Sequence, residues 1–348
     1  MASMTRAYLS KDLHQTRRAA ACALRLWFAA FAGVAEADEG GVSFWLPGQY
    51  GSFAASPLEP GWSFETTYYH ASAAATAGAS FERSGVTLQA GITSPSDLIM
   101  LTPTYAFATP LLGAQAALGM TIITGRNATS AAATLTGPGG ASISGMRSDE
   151  VIGFADLSPS ASLTWTRDVH NFMVYATSGI PTGAYDTTRL SNLGIGHWAI
   201  DSGGGYTYLN EKAGFEWSAV LGYTYNFINP YTQYRSGIDA HLDWAISPYL
   251  TDKLHVGAVG YVYNQVTGDS GASPVLGGFR SRVAGIGPQI GFFFPIGERE
   301  GYLNLRGYSE FDAKNRLEGW TAYVTFSVEA AEQKSGQRTF PRVTTLPR

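Results

Sequence analysis

From about Trp62 onward, apolar and polar residues alternate with a period of two almost to the end of the chain. In segment 214–228, one register reads Trp217, Ala219, Leu221, Tyr223, Tyr225, Phe227, and the other Glu216, Ser218, Val220, Gly222, Thr224, Asn226. Successive side chains of a strand point to opposite faces, so this segment predicts a strand with one aromatic and one polar face. Segments 234–246, 254–266 and 301–312 repeat the split. In all four, most charges fall in one register.

Alternation alone also fits a soluble β-sandwich. Three features favour a transmembrane barrel. The periodic segments are long: a spanning strand needs about 9–11 residues, against about 5–6 in an average strand. Aromatics gather near strand ends, with Trp62, Trp165, Trp217 and Trp244 expected at one rim and Trp198 and Trp320 at the other, as in interfacial girdles. The third feature is the connections. Strands are predicted at 62–72, 97–108, 113–124, 151–167, 171–179, 197–210, 214–228, 233–248, 254–267, 281–294, 300–312 and 319–329. The links 109–112, 168–170, 211–213, 249–253 and 295–299 are short, whereas 73–96, 125–150, 180–196 and 268–280 are long. Short periplasmic turns and long outer loops are the rule for such barrels, although 229–232 and 313–318 are short outer links. The expectation is all-β: an antiparallel up-and-down barrel of about twelve strands, with ten or fourteen as alternatives. Residues 125–150, rich in Ala, Ser, Thr and Gly, read as an outer loop; Val86–Ile92 could form a short strand of its own.

Composition sharpens this. Charged residues are only 14% of 348, and aromatics are 13%; a typical soluble domain has about 25% charged residues. Residues 1–37 read as a secretory leader: Arg17 and Arg18, an apolar Ala19–Ala32 stretch blemished by Arg25, and Ala35-Glu36-Ala37 as a small-x-small cleavage pattern. An amphipathic N-terminal helix is the alternative. The single cysteine, Cys22, falls in that leader, which excludes a disulfide framework and a cysteine zinc site. Without the leader's five Lys/Arg and two Asp/Glu, 18 basic and 25 acidic residues remain, a net charge near −7. That sign disfavours nucleic acid. The domains expected are the leader 1–37, a periplasmic or plug-like segment 38–61 whose residues 42–61 enter or brace the periplasmic mouth, the barrel 62–329 and a tail 330–348.

The charged register nominates Glu216, Arg235, Asp239, His241, Asp243, His255, Arg306, Glu310 and Asp312 as lumen-lining residues, because Arg or Lys facing lipid at mid-depth costs about 2–4 kcal/mol. They either tune what passes or form salt bridges that fill a narrow barrel. Asp239, His241 and Asp243 share one face, but same-face neighbours are about 7 Å apart, wide for shared metal ligation. No metal or cofactor is expected. An embedded hydrolase would need a Ser hydroxyl within reach of a His nitrogen, and no Gly-x-Ser-x-Gly or helical His-Glu-x-x-His motif is present. Asn127-Ala128-Thr129 matches a glycosylation acceptor by chance.

Several ordered motifs carry a family resemblance. They are Gly153-Phe154-Ala155-Asp156-Leu157 with Pro159, Ile180-Pro181-Thr182-Gly183-Ala184-Tyr185-Asp186, Asn192-Leu193-Gly194 with Trp198, and the run FEWSAVLGYTYNFINPYTQYRSGIDAHLDWAI followed by GYVYNQVTGD. Together with LPGQYGSF and PLEPGW near the N-terminus, they resemble the outer-membrane family named for the MetA pathway of phenol degradation. The resemblance implies a transporter-like barrel in a bacterial outer membrane, taking up small molecules, hydrophobic or aromatic ones included. It implies outer-membrane lipids, the barrel assembly machinery and an unidentified solute as partners. A sealed structural or adhesive barrel and an embedded hydrolase are the alternatives. The chain departs from many such barrels in the roughly 20 residues beyond the last strand, which leave no terminal aromatic.

Overall fold

The computed structural model describes residues 43–81, 86–136, 140–271 and 280–328; the expected leader and C-terminal tail lie outside the described residues. The strands are β1 (Gly61–Phe81), β2 (Val86–Ala106), β3 (Gln115–Thr136), β4 (Ser142–Phe154), β5 (Ser158–Arg167), β6 (His170–Gly179), β7 (Ala199–Asn210), β8 (Phe215–Asn226), β9 (Tyr234–Arg235), β10 (Asp239–Thr251), β11 (Leu254–Gln265), β12 (Ser270–Gly271), β13 (Arg282–Ile296), β14 (Arg299–Lys314) and β15 (Glu318–Val328). Thirteen of them form one antiparallel sheet, in which β15 closes on β1 and β2 on β3. Strand β3 carries both β4 and β5: Thr124 faces Phe154, and Thr121 faces Ser158. β4 and β5 are therefore the upper and lower parts of one wall strand, and the barrel has 12 staves. Closure leaves no free edge through the apolar zone, which a bilayer requires.

Pleating sorts the side chains. Outward positions such as Phe64, Leu101, Phe154, Leu221, Ile290 and Phe326 form an exposed apolar belt. Its outer limit is polar: the Asp97 carboxylate accepts from the Tyr68 hydroxyl at 2.7 Å and pairs with His70 at 2.7 Å, and Arg126 donates to Glu150 at 2.6 Å. Trp320 packs on His70 at 4.6 Å. Trp62, Trp165 and Trp217 sit near the lower strand ends, and Trp198 and Trp320 near the upper ends. Trp244 does not join the lower rim. It lies near the middle of β10, opposite Gly260, where a Cβ would come within 2.4 Å of the indole.

The outer loops expected at 73–96 and 125–150 are largely strand. β1 to β4 continue above the point where β15 ends, at the Ala74–Glu318 pair, to Phe81 and Val86 and to Thr136 and Ser142. This four-stranded tower rises roughly 20 Å along the strand direction at about 3.3 Å per residue. Ala, Ser, Thr and Gly dominate its sequence, so apart from Val86–Ile92, read as a short strand, the period-two signal is weak there.

Two nominated lumen residues are elsewhere. The segment read as one strand from 234 breaks at 236–238, where a Cβ on Gly237 would lie 2.0 Å from the Thr267 carbonyl. Tyr234 and Arg235 instead pair with Ser270 and Gly271 above the barrel. Arg235 is exposed there and donates to Ser270 Oγ and the Tyr225 hydroxyl, both at 3.1 Å. Asp312 has φ 57 and sits at a register shift near the top of β14. The turned backbone sends it to solvent, 59% exposed, to bind Arg282 at 2.8 Å.

Candidate functional site

The N-terminal segment does not stop at the periplasmic mouth but climbs the lumen. At the bottom Leu58 exchanges two hydrogen bonds with the Gln115 side chain, at 2.8 and 2.5 Å. Higher up, the Ala55 amide donates to Thr207 Oγ1 at 3.0 Å, the Phe53 amide to Glu216 Oε1 at 2.9 Å, and Ser52 Oγ meets Ser247 Oγ at 2.6 Å. The Asp243 carboxylate accepts from the Gly48 and Tyr50 amides at 3.0 and 3.2 Å. Trp45 stacks on His241 at 3.6 Å. At the top Arg316, in the β14–β15 turn, donates to Ser43 Oγ at 3.3 Å. The segment thus threads the lumen from the periplasmic end toward the outer end.

Its fit depends on a tight turn. Gly48 has φ +80, and a Cβ there would lie 2.8 Å from the Tyr308 ring. The carbonyls around it are held by Tyr308 (3.0 Å), Arg306 (3.3 Å to Gly48, 2.7 Å to Gln49) and Tyr323 (2.8 Å to Pro47). Arg306 also lies 4.6 Å over the Tyr323 ring.

The other nominated residues are placed as follows. Glu216, Asp239, His241, Asp243 and His255 are buried on the inward register. His241 Nε2 pairs with Asp201 Oδ2 at 3.0 Å, and Asp201 also accepts from Tyr175 at 2.7 Å and Thr224 at 2.6 Å. Asp239 accepts from Asn226 Nδ2 at 2.9 Å. Glu310 accepts from the Tyr261 hydroxyl at 2.6 Å and the Gly319 amide at 2.8 Å. His255 Nε2 meets the Tyr302 hydroxyl at 3.0 Å. His241 is thus engaged by a carboxylate and Asp243 by plug amides. Above the barrel, burial pushes the Asp269 carboxyl up, against hydrogen bonds from Tyr234, Gly237 and Gln265.

The two sides of the lumen differ. Along β8, β10 and β11, inward residues Glu216, Ser218, Val220, Ala245, Ser247 and Val259 are fully covered. Along β2, β3 and β5, inward Thr102, Thr104, Thr121, Ser160 and Ser162 remain partly exposed. The plug's hydrogen bonds go to β7, β8, β10, β13, β14, β15 and the β14–β15 turn, apart from the Gln115 anchor. A hydroxyl-lined space therefore remains beside the plug. Nearer the outer end Leu98, Met100, Val151 and Leu193 belong to a buried apolar cluster, a collar above that space.

Sequence reasoning missed Asp201, Tyr308, Tyr323 and the collar. One signal for the plug was present: Trp45, Tyr50 and Phe53 lie in a Gly- and Pro-rich stretch, and large aromatics in an apparent loop call for a burial site.

A closed 12-stranded antiparallel barrel with an apolar belt and a threaded polar lumen has the fold of an outer-membrane β-barrel. The family model described as "Putative MetA-pathway of phenol degradation" matches residues 74–326, and the chain belongs to that family. The fold is similar to an outer membrane channel from Pseudomonas putida F1, at 11% identity and TM-score 0.60, covering 79% of this chain and 98% of that one. The monoaromatic hydrocarbon channel CymD aligns at 7% identity and TM-score 0.33, over 80% of this chain and 90% of that one. The translocator domain of the autotransporter NalP from Neisseria meningitidis aligns at 12% and 0.29, over 79% and 91%. The last two scores are too low to carry a functional reading. No curated protein matches the chain.

Proposed function

We propose that the barrel carries small uncharged molecules, hydrophobic and aromatic ones included, across the outer membrane. The observation behind this reading is the asymmetry of the lumen. A plug bound to one side leaves a side lined by Thr and Ser hydroxyls beneath the apolar collar of Leu98 and Met100. Hydroxyls suit neutral solutes, with Glu65 beside Thr102 as an inward carboxylate on that side, and an apolar constriction resists hydrated ions by dewetting. The outer membrane channel that shares the fold supplies a precedent for passage. The exposed apolar belt supports a barrel set in the bilayer, with lipids as its surroundings.

The test is purified full-length barrel in liposomes, with uptake of neutral solutes and ion conductance measured side by side. Uptake of toluene-sized solutes with low conductance is expected. Absence of flux for every neutral solute, from protein whose migration shifts on heating as a folded barrel's does, leaves the sealed structural reading in its place.

A further inference from the structure

We propose that four rings at the periplasmic end of the lumen form a receptor for an uncharged single aromatic ring, and that Phe53 of the plug is its tethered occupant. This deepens the channel reading above and rests on it. The Phe53 ring stands 5.4 Å from His255 at 84°, 5.6 Å from Phe293 at 67°, 5.8 Å from Tyr302 at 83°, and 6.4 Å from Tyr249 at 60°. Three of these contacts are edge-to-face, the arrangement that aromatic quadrupoles favour over a face-to-face sandwich.

The box belongs to the wall, not to the plug. Its rings come from β10, β11, β13 and β14, and they brace one another: Phe293 lies 4.6 Å from Tyr302, and His255 stacks on Tyr302 at 5.9 Å. The hydrogen bond between His255 Nε2 and the Tyr302 hydroxyl fixes both rings. Gly291 makes room for the imidazole, since a Cβ there would lie 2.0 Å from Nε2. The box therefore persists when the plug leaves it.

The occupant is held in a backbone conformation it does not prefer. Phe53 has φ 65, a left-handed region that non-glycine residues rarely adopt. The hydrogen bond its backbone N–H donates to Glu216, and those of Ser52 with Ser247 and Gln289, hold it there. A tethered ring held against its own backbone preference is exchangeable for a free one of the same shape. The receptor then selects benzene-like rings over saturated rings of equal size, which have no quadrupole to match.

Fluorobenzene is the probe, followed by 19F NMR on the full-length barrel in detergent micelles, with empty micelles subtracted. Wild type is expected to bind weakly. Phe53→Ala and Phe53→Leu are expected to bind at least about tenfold more tightly, because the competent, unoccupied fraction rises. Benzene should displace the probe and cyclohexane should not, and adding Phe293→Ala to Phe53→Ala should abolish the gain. Equal binding by wild type and both Phe53 variants, with all migrating as folded barrels, overturns the receptor. Equilibrium binding requires no flux. Ring binding without solute uptake removes the channel reading alone; uptake without Phe53-dependent binding removes the receptor alone.

Discussion

Asp243 shows what a single inward carboxylate does here: it serves as the acceptor for two plug amides, of Gly48 and Tyr50. Asp243→Ala leaves both donors buried, at about 1–3 kcal/mol for each group not rescued by water. We expect faster hydrogen exchange at Gly48 and Tyr50 and unchanged protection in the wall strands; equal protection of the plug in both proteins would show that Asp243 does not anchor it. A period-two count revealed the face of Asp243, Glu216, His241 and His255 but not their partners: those of Asp243 and Glu216 lie on a plug without periodicity, and Asp201 and Tyr302, which meet His241 and His255, lie on other strands. The count failed at Arg235 and Asp312, where the backbone itself turns. It also read the polar face of β8 as wet, yet Glu216, Ser218 and Thr224 are covered, with Ser218 bonded to Glu216 and the plug against both Glu216 and Thr207.

At the next scale, the interruption between β4 and β5 is an element in its own right. β6 ends at Gly179, so the edge of β4 above it is met by residues 180–195 rather than by a strand. Asp156 sits in the interruption and staples that segment: Oδ1 accepts from the Gly183 amide and Oδ2 from the Ile195 amide, both at 2.8 Å. Arg189 clasps Asp149 at 2.7 Å higher up. Close packing leaves no room for side chains here: a Cβ on Gly183 would lie 2.6 Å from the Ala155 carbonyl carbon, and one on Gly194 2.9 Å from Asp156 Oδ1. Asp156→Ala should therefore release residues 183–195 to protease while β6 and β7 stay protected and the barrel keeps its heat-shifted migration. Resistance equal to wild type would mean that Arg189 and Asp149 suffice. The residues of this staple were conspicuous as ordered motifs, but 151–167 read as one strand because three irregular residues do not disturb an average over a long segment. The tower was hidden for a different reason: Ala, Ser, Thr and Gly dominate its sequence, and the alternation there is weak.

For the whole molecule, the wall and its filling are separable. Strand pairing runs round the barrel without using residues 43–60, whereas the plug has no strand of its own and takes its hydrogen bonds largely from the wall. Gly and Pro content marked 38–61 as a loop or a periplasmic, plug-like segment, but how far it reaches depends on distant partners such as Arg316, 273 positions away, which no local pattern records. Removing residues 43–57 should leave a closed barrel, since the groups exposed, Glu216, Asp243 and Arg306 among them, then face water admitted to the lumen. The folded form should lose its heat-shifted migration at a lower temperature, because the aromatic packing of Trp45 and Phe53 is gone. Conductance should rise several-fold, with cations passing more readily than anions, because inward Glu65, Asp201, Glu216, Asp239, Asp243 and Glu310 outnumber Arg306 and Arg316 on the uncovered wall. Bilayer recordings of the two proteins in asymmetric salt measure both effects. Unchanged conductance from a folded, plugless barrel would place the resistance in the collar instead, and Met100→Ser in that same background would then be the substitution that raises it.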